Sequence, residues 1–397
     1  MSIPLVEPRD GLPPLCESPD QFHEALARLE AGNGPLAIDT ERASGIRYGN
    51  RAFLVQIRRA GCGTVLFDAE QHRTELGEIL KPLLNSTTWV LHAAVSDLPS
   101  LQNFGWFPTR LFDTEVAGRL AGFDRVNLAA MVEKVLGLHL AKGLAQSDWS
   151  RRPIPAAWLT YAALDVEVLL ELADSMAAIL TADGKTAWAE QEFEHIRLQA
   201  RQPQAESTWQ DMKGISVLTR PPQLAVAQAL WTTREAIALR KDLSPGRVLR
   251  NRVLLDVART LPTSPVELAK IPGFPKNKGA AYRWFRVVSQ ALHTPREQWP
   301  QPSPQVFDPQ SRSWTKHDKA AAAALSDAKN IVAEIASRYH VPESYVLPTA
   351  IIKKAVWSTR VAKNITSKEQ LQDLLAQQAV RPWQRGLVLE PLAAVLL

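Results

Sequence analysis

The chain has 397 residues, 46 Lys+Arg against 41 Asp+Glu, a formal net charge of +5, 46% hydrophobic residues and 2 cysteines. That length accommodates two to three domains with their own cores. Cys16 and Cys62 form neither a zinc pattern nor a disulfide framework, no apolar run approaches a membrane span, and MSIPLVEPRDGLPPL lacks the regions of a signal peptide, so a cytoplasmic protein without membrane contact is expected.

In chain order, Leu36 to Asp39 reads as a buried strand that turns abruptly acidic. Phe53 to Ile57 and Thr64 to Phe67 read as two more strands, with Gly45, Gly49, Gly61 and Gly63 at the turns between them. Residues two apart in a strand share a face, so Asp39 and Glu41 present two carboxylates side by side. Alone, such a pair is a weak signal that occurs by chance in many proteins, and two solvated acids at a strand end is its commoner meaning. Thr40, between them, is a candidate substrate contact. Trp89 to Leu91 forms a short strand, and a helix is expected from about Ala93, with Asp97 in its first turns and Leu98 and Leu101 facing the core. An acid there also complements the helix dipole. His92 is either a substrate contact or a satisfied histidine at a strand end.

Ala156 to Ala173 reads as one helix with Leu159, Leu164, Val168 and Leu169 along an apolar stripe. Tyr161 and Asp165 are four apart and lie on one face, while Glu167 falls off that face and is expected in solvent. Lys142, Trp149 and Arg152 precede this helix and either touch a substrate backbone or buttress the loop. Four carboxylates at 39, 41, 97 and 165 can hold two divalent cations, the usual device for in-line attack of water on a phosphodiester. The tyrosine hydroxyl can orient that water.

The order D-x-E, H-x-x-x-x-D-L and Y-x-x-x-D resembles the DEDDy branch of the 3′–5′ exonucleases. The stretches LFDTEVAGRLAG and GLHLAKGLAQSDWSRRPIPAAWLTYAALDV are similar to the segments between the second and third motifs of ribonuclease D and leading into the third. The resemblance implies a ribonuclease H-like (DnaQ-like) α/β domain with a mixed β-sheet over residues 1–205. It also implies that Asp39, Glu41, Asp97 and Asp165 ligate two Mg²⁺ or Mn²⁺ ions, and that Tyr161 positions the attacking water. Arg42 departs from the pattern, since the family more often has an aromatic or other apolar residue after D-x-E.

Charge divides the chain. Residues 1–200 carry 18 Lys+Arg and 26 Asp+Glu, net −8; residues 201–397 carry 28 and 15, net +13. The acidic half suits metals, and the basic half suits a phosphate backbone. Helices are expected over about 223–241, 247–260 and, after the IPGF turn, to the end of RWFRVVSQAL; residues 217–294 resemble an HRDC domain. Lys276 and Lys278, before Gly279, precede a helix N-terminus and are candidate phosphate contacts, whereas Phe285 belongs to the core. Pro295, Pro300, Pro302, Pro304 and Pro309 make 295–313 a stiff linker. Residues 314–397 repeat the helical pattern and resemble a second HRDC domain. The combined expectation is a monomeric exoribonuclease that trims RNA with a free 3′ end, in particular tRNA precursors, and releases nucleoside 5′-monophosphates. A DNA 3′–5′ exonuclease of the Werner type and a catalytically dead nucleic-acid-binding module are the alternatives.

Overall fold

The computed structural model describes residues 2–140, 143, 147–202, 207–277, 279–302 and 318–397. Lys142, Lys278 and most of the proline-rich segment lie outside the described residues. Strand β1 (Ile3–Leu5) pairs far from the main sheet, which is built from β2 (Leu15–Cys16), β3 (Asn33–Arg42), β4 (Ala52–Ala60), β5 (Gly63–Asp68), β6 (Thr88–Leu91) and β7 (Arg110–Asp113). Their order is β2-β5-β4-β3-β6-β7. The β3–β4 and β4–β5 pairs are antiparallel and the β2–β5, β3–β6 and β6–β7 pairs parallel, so the sheet is mixed, as expected. Strand β8 (Leu138–Leu140) completes the small ribbon with β1.

Burial explains the strand sequences. The AFLVQI run of β4 is buried on both faces, because helices cover one side and the core the other. Helix α1 (Pro19–Ala31) starts at a capping box made by Ser18 and Gln21 and packs on α2 (Arg73–Leu84). The short α3 (Leu98–Gln102), α4 (Thr114–Leu120) and α5 (Leu128–Leu136) follow β6 and β7.

The single helix expected over 156–173 is two helices, α6 (Ala156–Glu167) and α7 (Leu169–Ala182), broken at Val168 (φ −102°, ψ −5°). The bend lets α6 lie across β3, β4 and β5 while α7 covers β3 and β6, so both bury apolar faces on a twisted sheet. Helix α8 (Thr186–Ala200) packs on β7 and α4. Glu167, expected in solvent, is buried (1% exposed) and ion-paired with Arg58 Nη1 at 2.8 Å. Arg58 stands on β4 under α6, a neighbour that periodicity along α6 cannot reveal.

Two helical units follow, with the same layout. The first has α9 (Pro221–Lys241), α10 (Pro245–Val248), α11 (Asn251–Thr260), α12 (Pro265–Ala269) and α13 (Ala280–His293). The second has α14 (Lys319–Tyr339), α15 (Glu343–Val346), α16 (Thr349–Val356), α17 (Lys368–Gln377) and α18 (Pro382–Leu396). Each long first helix has 21 residues and ends on a left-handed residue, Asp242 (φ 48°) or His340 (φ 52°). Each four-residue second helix ends on an extended leucine, Leu249 (φ −158°) or Leu347 (φ −159°).

The two units dock differently. The second joins the hydrophobic core of the sheet domain: Trp383 stacks on Trp188 at 4.6 Å, and Glu192 accepts hydrogen bonds from Trp383 Nε1 (2.8 Å) and Arg381 Nε (2.7 Å). The first keeps a separate core around Leu230, Leu254 and Val288 and meets the β3–β4 loop through polar groups. Ser244 donates from its backbone N–H to Ile46 O (2.9 Å) and from Oγ to Gly45 O (3.0 Å). Asp242 accepts two hydrogen bonds from Arg51, at 2.9 and 2.8 Å.

Candidate active site

Strand β3 and helix α6 bring three acids together. Asp39, Glu41 and Asp165 have carboxylate oxygens within 4.8 Å of one another. Asp39 and Glu41 lie two apart on β3, and Asp165 comes from α6, which crosses that strand. Crowded, buried carboxylates resist ionisation. Burial drives Asp39 and Glu41 well above the usual carboxylate range, and the neighbouring acids add to it. Asp165 is pushed up to about 7 by burial, against the hydrogen bond from Tyr161 that favours its charged form. An all-oxygen donor set with this unmet negative charge fits a hard divalent cation.

Asp97 stands beside the trio, but its oxygens are not within 4.8 Å of all three members. It is 4% exposed, and its Oδ1 accepts from Thr40 Oγ1 (2.6 Å) and Arg42 Nη1 (2.9 Å). Burial raises its pKa, while Arg42 and Thr40 pull it down. The expected helix from Ala93 is a single 3-10 turn, Ala94–Ser96, and Asp97 caps α3 instead of lying within it. Leu98 and Leu101 face the core as expected. The turn is pinned from below: buried Asp113 accepts from the N–H groups of Ala93 (3.0 Å) and Ala94 (2.7 Å) while also capping α4. Ala93 is held at φ 58°, unfavourable for a residue with a Cβ, so Asp113 fixes the turn from which Asp97 projects.

Tyr161 hydrogen-bonds Asp165 one turn away on α6. Burial, then Asp165, Glu41 and Asp39, push its pKa up, so the phenol stays protonated and acts as a hydrogen-bonding group rather than as a base. Beside these groups opens a cleft of 560 Å³ lined by Thr40, Glu41, Arg42, Ser44, Ser147 and Arg247, among others. Arg247 belongs to α10 of the first helical unit; it is exposed, and the polar contacts of Ser244 and Asp242 hold its segment at the cleft.

Residues 15–181 match the 3′–5′ exonuclease family, 223–283 match HRDC, and 308–396 match the 3′ to 5′ exonuclease C-terminal domain. Ribonuclease D of Jannaschia sp. (strain CCS1) is 32% identical over 242 residues, which are 59% of this chain. The chain belongs to the ribonuclease D family. The match spans 62% of the Jannaschia enzyme, so less than two thirds of that relative is covered. Along the whole of both chains, the fold is similar to a crystal structure of a protein from Bifidobacterium adolescentis (TM-score 0.85, 30% identity). It also matches Escherichia coli RNase D, an exoribonuclease involved in structured RNA processing (TM-score 0.69, 24% identity, 92% of this chain and 99% of that one).

Within this ribonuclease D fold, several expected substrate contacts have other work. Trp149 is fully buried against Trp158 (ring centroids 5.3 Å apart) among Phe53, Ile154 and Ala162, so it cannot reach a substrate. Arg152 is engaged by Asp68 and by the carbonyls of Phe53 (2.9 Å) and Trp149 (2.8 Å), which makes it a buttress of the loop. His92 is largely buried, Nδ1 bonded to Thr114 Oγ1 at 2.8 Å, and burial lowers its pKa to about 4, so it is a satisfied neutral histidine. Thr40 lines the cleft, but its hydroxyl serves Asp97. Lys276 is exposed before α13 and does not line the cleft, and Phe285 packs partly buried against the core of its unit. Sequence reading missed Arg247, because no local pattern connects it to an acid pair some 200 residues upstream.

Proposed function

We propose that this chain is a metal-dependent 3′–5′ exoribonuclease that trims 3′ ends of RNA, including tRNA precursors and other small stable RNAs, and releases nucleoside 5′-monophosphates. The observation that carries the reading is the trio Asp39, Glu41 and Asp165, with Asp97 and Tyr161 beside it and Glu41 lining the adjoining cleft. Asp39, Glu41, Asp97 and Asp165 would hold two ions, Mg²⁺ or Mn²⁺. Such ions supply an activated water and neutralise charge on the leaving 3′ oxygen. Tyr161 orients the water through its protonated hydroxyl. Arg247 and Arg42 face the cleft with positive charge and meet the phosphates of the strand entering it. The excess of 13 positive charges downstream of residue 200 favours a polyanionic substrate.

The helical units fit the same reading. The matching lengths and left-handed ends of α9 and α14 support a second HRDC-like unit in the last region, even though that region matches the exonuclease C-terminal domain. Among the described residues no helix is long and apolar enough to cross a membrane, and we read the protein as a cytoplasmic monomer.

A 3′-extended tRNA and a DNA strand of matched sequence, each digested with Mg²⁺, with Mn²⁺ and with chelator, test the proposal. Release of 5′-monophosphates from RNA in either metal, lost on chelation, is the expected result. Preferential digestion of DNA supports the Werner-type alternative, and no turnover supports the binding module.

A further inference from the structure

Asp39 and Glu41 are two apart on β3 and share a face, while Thr40 between them and Arg42, beyond a shift in the β3–β4 register, both reach Asp97. Thr40 and Arg42 together hold Asp97: both donate to the same oxygen, Oδ1, at 2.6 and 2.9 Å. Arg42 Nη1 also donates to Ser96 O and lies 3.4 Å from Thr40 Oγ1. Asp97 is thereby tied to a cation of the protein itself and stands outside the trio. The pair is shielded, with the side chains of Arg42 and Asp97 23% and 6% exposed, so screening by water is modest. Arg42 also lines the cleft, and its side chain keeps 23% of its surface exposed.

We propose that Arg42 is a resident counter-cation that withholds Asp97, so that the free enzyme binds one divalent ion tightly and a second only when a nucleotide phosphate draws Arg42 into the cleft. The inference rests on reading the trio as a metal site. A guanidinium and a divalent cation compete for one carboxylate. Arg pairs bidentately with phosphate as it does with carboxylate, and here Arg42 holds Asp97 through a single nitrogen, so a phosphate offers it the fuller pairing. Arg42 acts through Asp97 and is a positioning residue. The arrangement couples completion of the metal pair to the presence of a strand end.

Titration of the full-length protein with Mn²⁺, followed by calorimetry and by the paramagnetic signal of coupled manganese pairs, tests this without turnover. Adenosine 5′-monophosphate serves as a nucleotide that cannot be hydrolysed further. The wild type should take one tight ion, with a coupled pair formed on addition of the nucleotide. Arg42→Met should bind the second ion about tenfold more tightly without nucleotide, a coupling within the ordinary range. Arg42→Met/Asp97→Asn should return to one ion. Arg42→Gln is titrated in parallel, so that a folding defect in one variant leaves the comparison intact. Unchanged second-ion affinity in both Arg42 variants overturns the proposal. Two equally tight ions in the wild type also overturn it, while the two-metal reading stands. Absence of tight Mn²⁺ binding in the wild type with nucleotide removes the metal reading itself.

Discussion

Replacing Asp242 with Asn weakens the latch between the first helical unit and the β3–β4 loop. Asn keeps the side-chain shape and tolerates the left-handed backbone at φ 48°, so the substitution removes charge with little strain. Asp242 accepts two hydrogen bonds from Arg51 and one from the Tyr48 N–H at 3.3 Å, and lies 3.6 Å from Arg47 Nη1. Charge-assisted bonds of this kind contribute roughly 1.5–3 kcal/mol when shielded. The Asp242 side chain is 39% exposed, and Arg51 keeps Glu70 at 3.1 Å, so screening and compensation reduce the loss to about 1 kcal/mol. That corresponds to roughly a fivefold rise in the undocked fraction. The Ser244 amide reports it directly, because its N–H is bonded to Ile46 O across the junction. Native-state hydrogen exchange at Ser244 should accelerate about fivefold, with core amides of β4 unaffected. The sign of the pH dependence follows from Arg51, which pulls the Asp242 pKa below its ordinary 3.8. The latch is therefore fully present above 3.8 and lost as pH falls through the lower folded value, so the difference between wild type and variant should vanish only in strong acid. Equal exchange at Ser244 in both proteins at neutral pH would refute the latch.

Three further outcomes are expected. Tyr161→Phe should lower kcat by roughly 10²-fold with little change in KM, by analogy with losses of acid–base groups; a raised KM with unchanged kcat would show that the ring packs on substrate instead. Asp165→Asn should abolish hydrolysis, yet raise the metal-free melting temperature by roughly 2–4 °C for each kcal/mol of carboxylate repulsion relieved; near-normal turnover in Mg²⁺ or Mn²⁺ would contradict its role. Asp113→Asn exchanges one of the two acceptor oxygens for an amide NH2, so one of the Ala93 and Ala94 N–H groups then faces a donor, a cost of about 1–3 kcal/mol, and should weaken Mn²⁺ binding by displacing Asp97; a calorimetric titration that matches wild type would mean that the turn holds its shape without the charge.

What the sequence made legible was local. The spacing of two between Asp39 and Glu41 and of four between Tyr161 and Asp165 converts directly into shared faces of a strand and a helix, and the structure places three of those four side chains as one acid cluster. Glu167 was misread, and the two readings of Trp149 stayed open, for the opposite reason. Their surroundings come from β4, where Arg58 receives Glu167 and Phe53 packs with Trp149, and nothing within a few residues of either signals that strand. The break at Val168 was likewise invisible, since the apolar stripe continues through it and only the twist of the sheet beneath requires the turn of direction.

Arg42 lies between these cases. Its identity was visible as a departure from the family pattern, but its consequence depends on Asp97, 55 residues away. A cation stands immediately after two acids of the cluster proposed to hold metal. In the fold its hydrogen bond and ion pair go to Asp97, the acid beside the trio, while its charge also favours the ionised forms of Asp39 and Glu41. Four crowded carboxylates, Glu41 and Asp97 buried and Asp39 and Asp165 half-buried, would repel one another without any cation strongly enough to protonate or to separate. One guanidinium on Asp97 relieves part of that repulsion while leaving the remaining three free for an ion. Stability of the empty site and readiness of the filled one are thus served by the same residue, and the cleft that Arg42 shares with Arg247 is where those two demands would be exchanged when a strand end arrives.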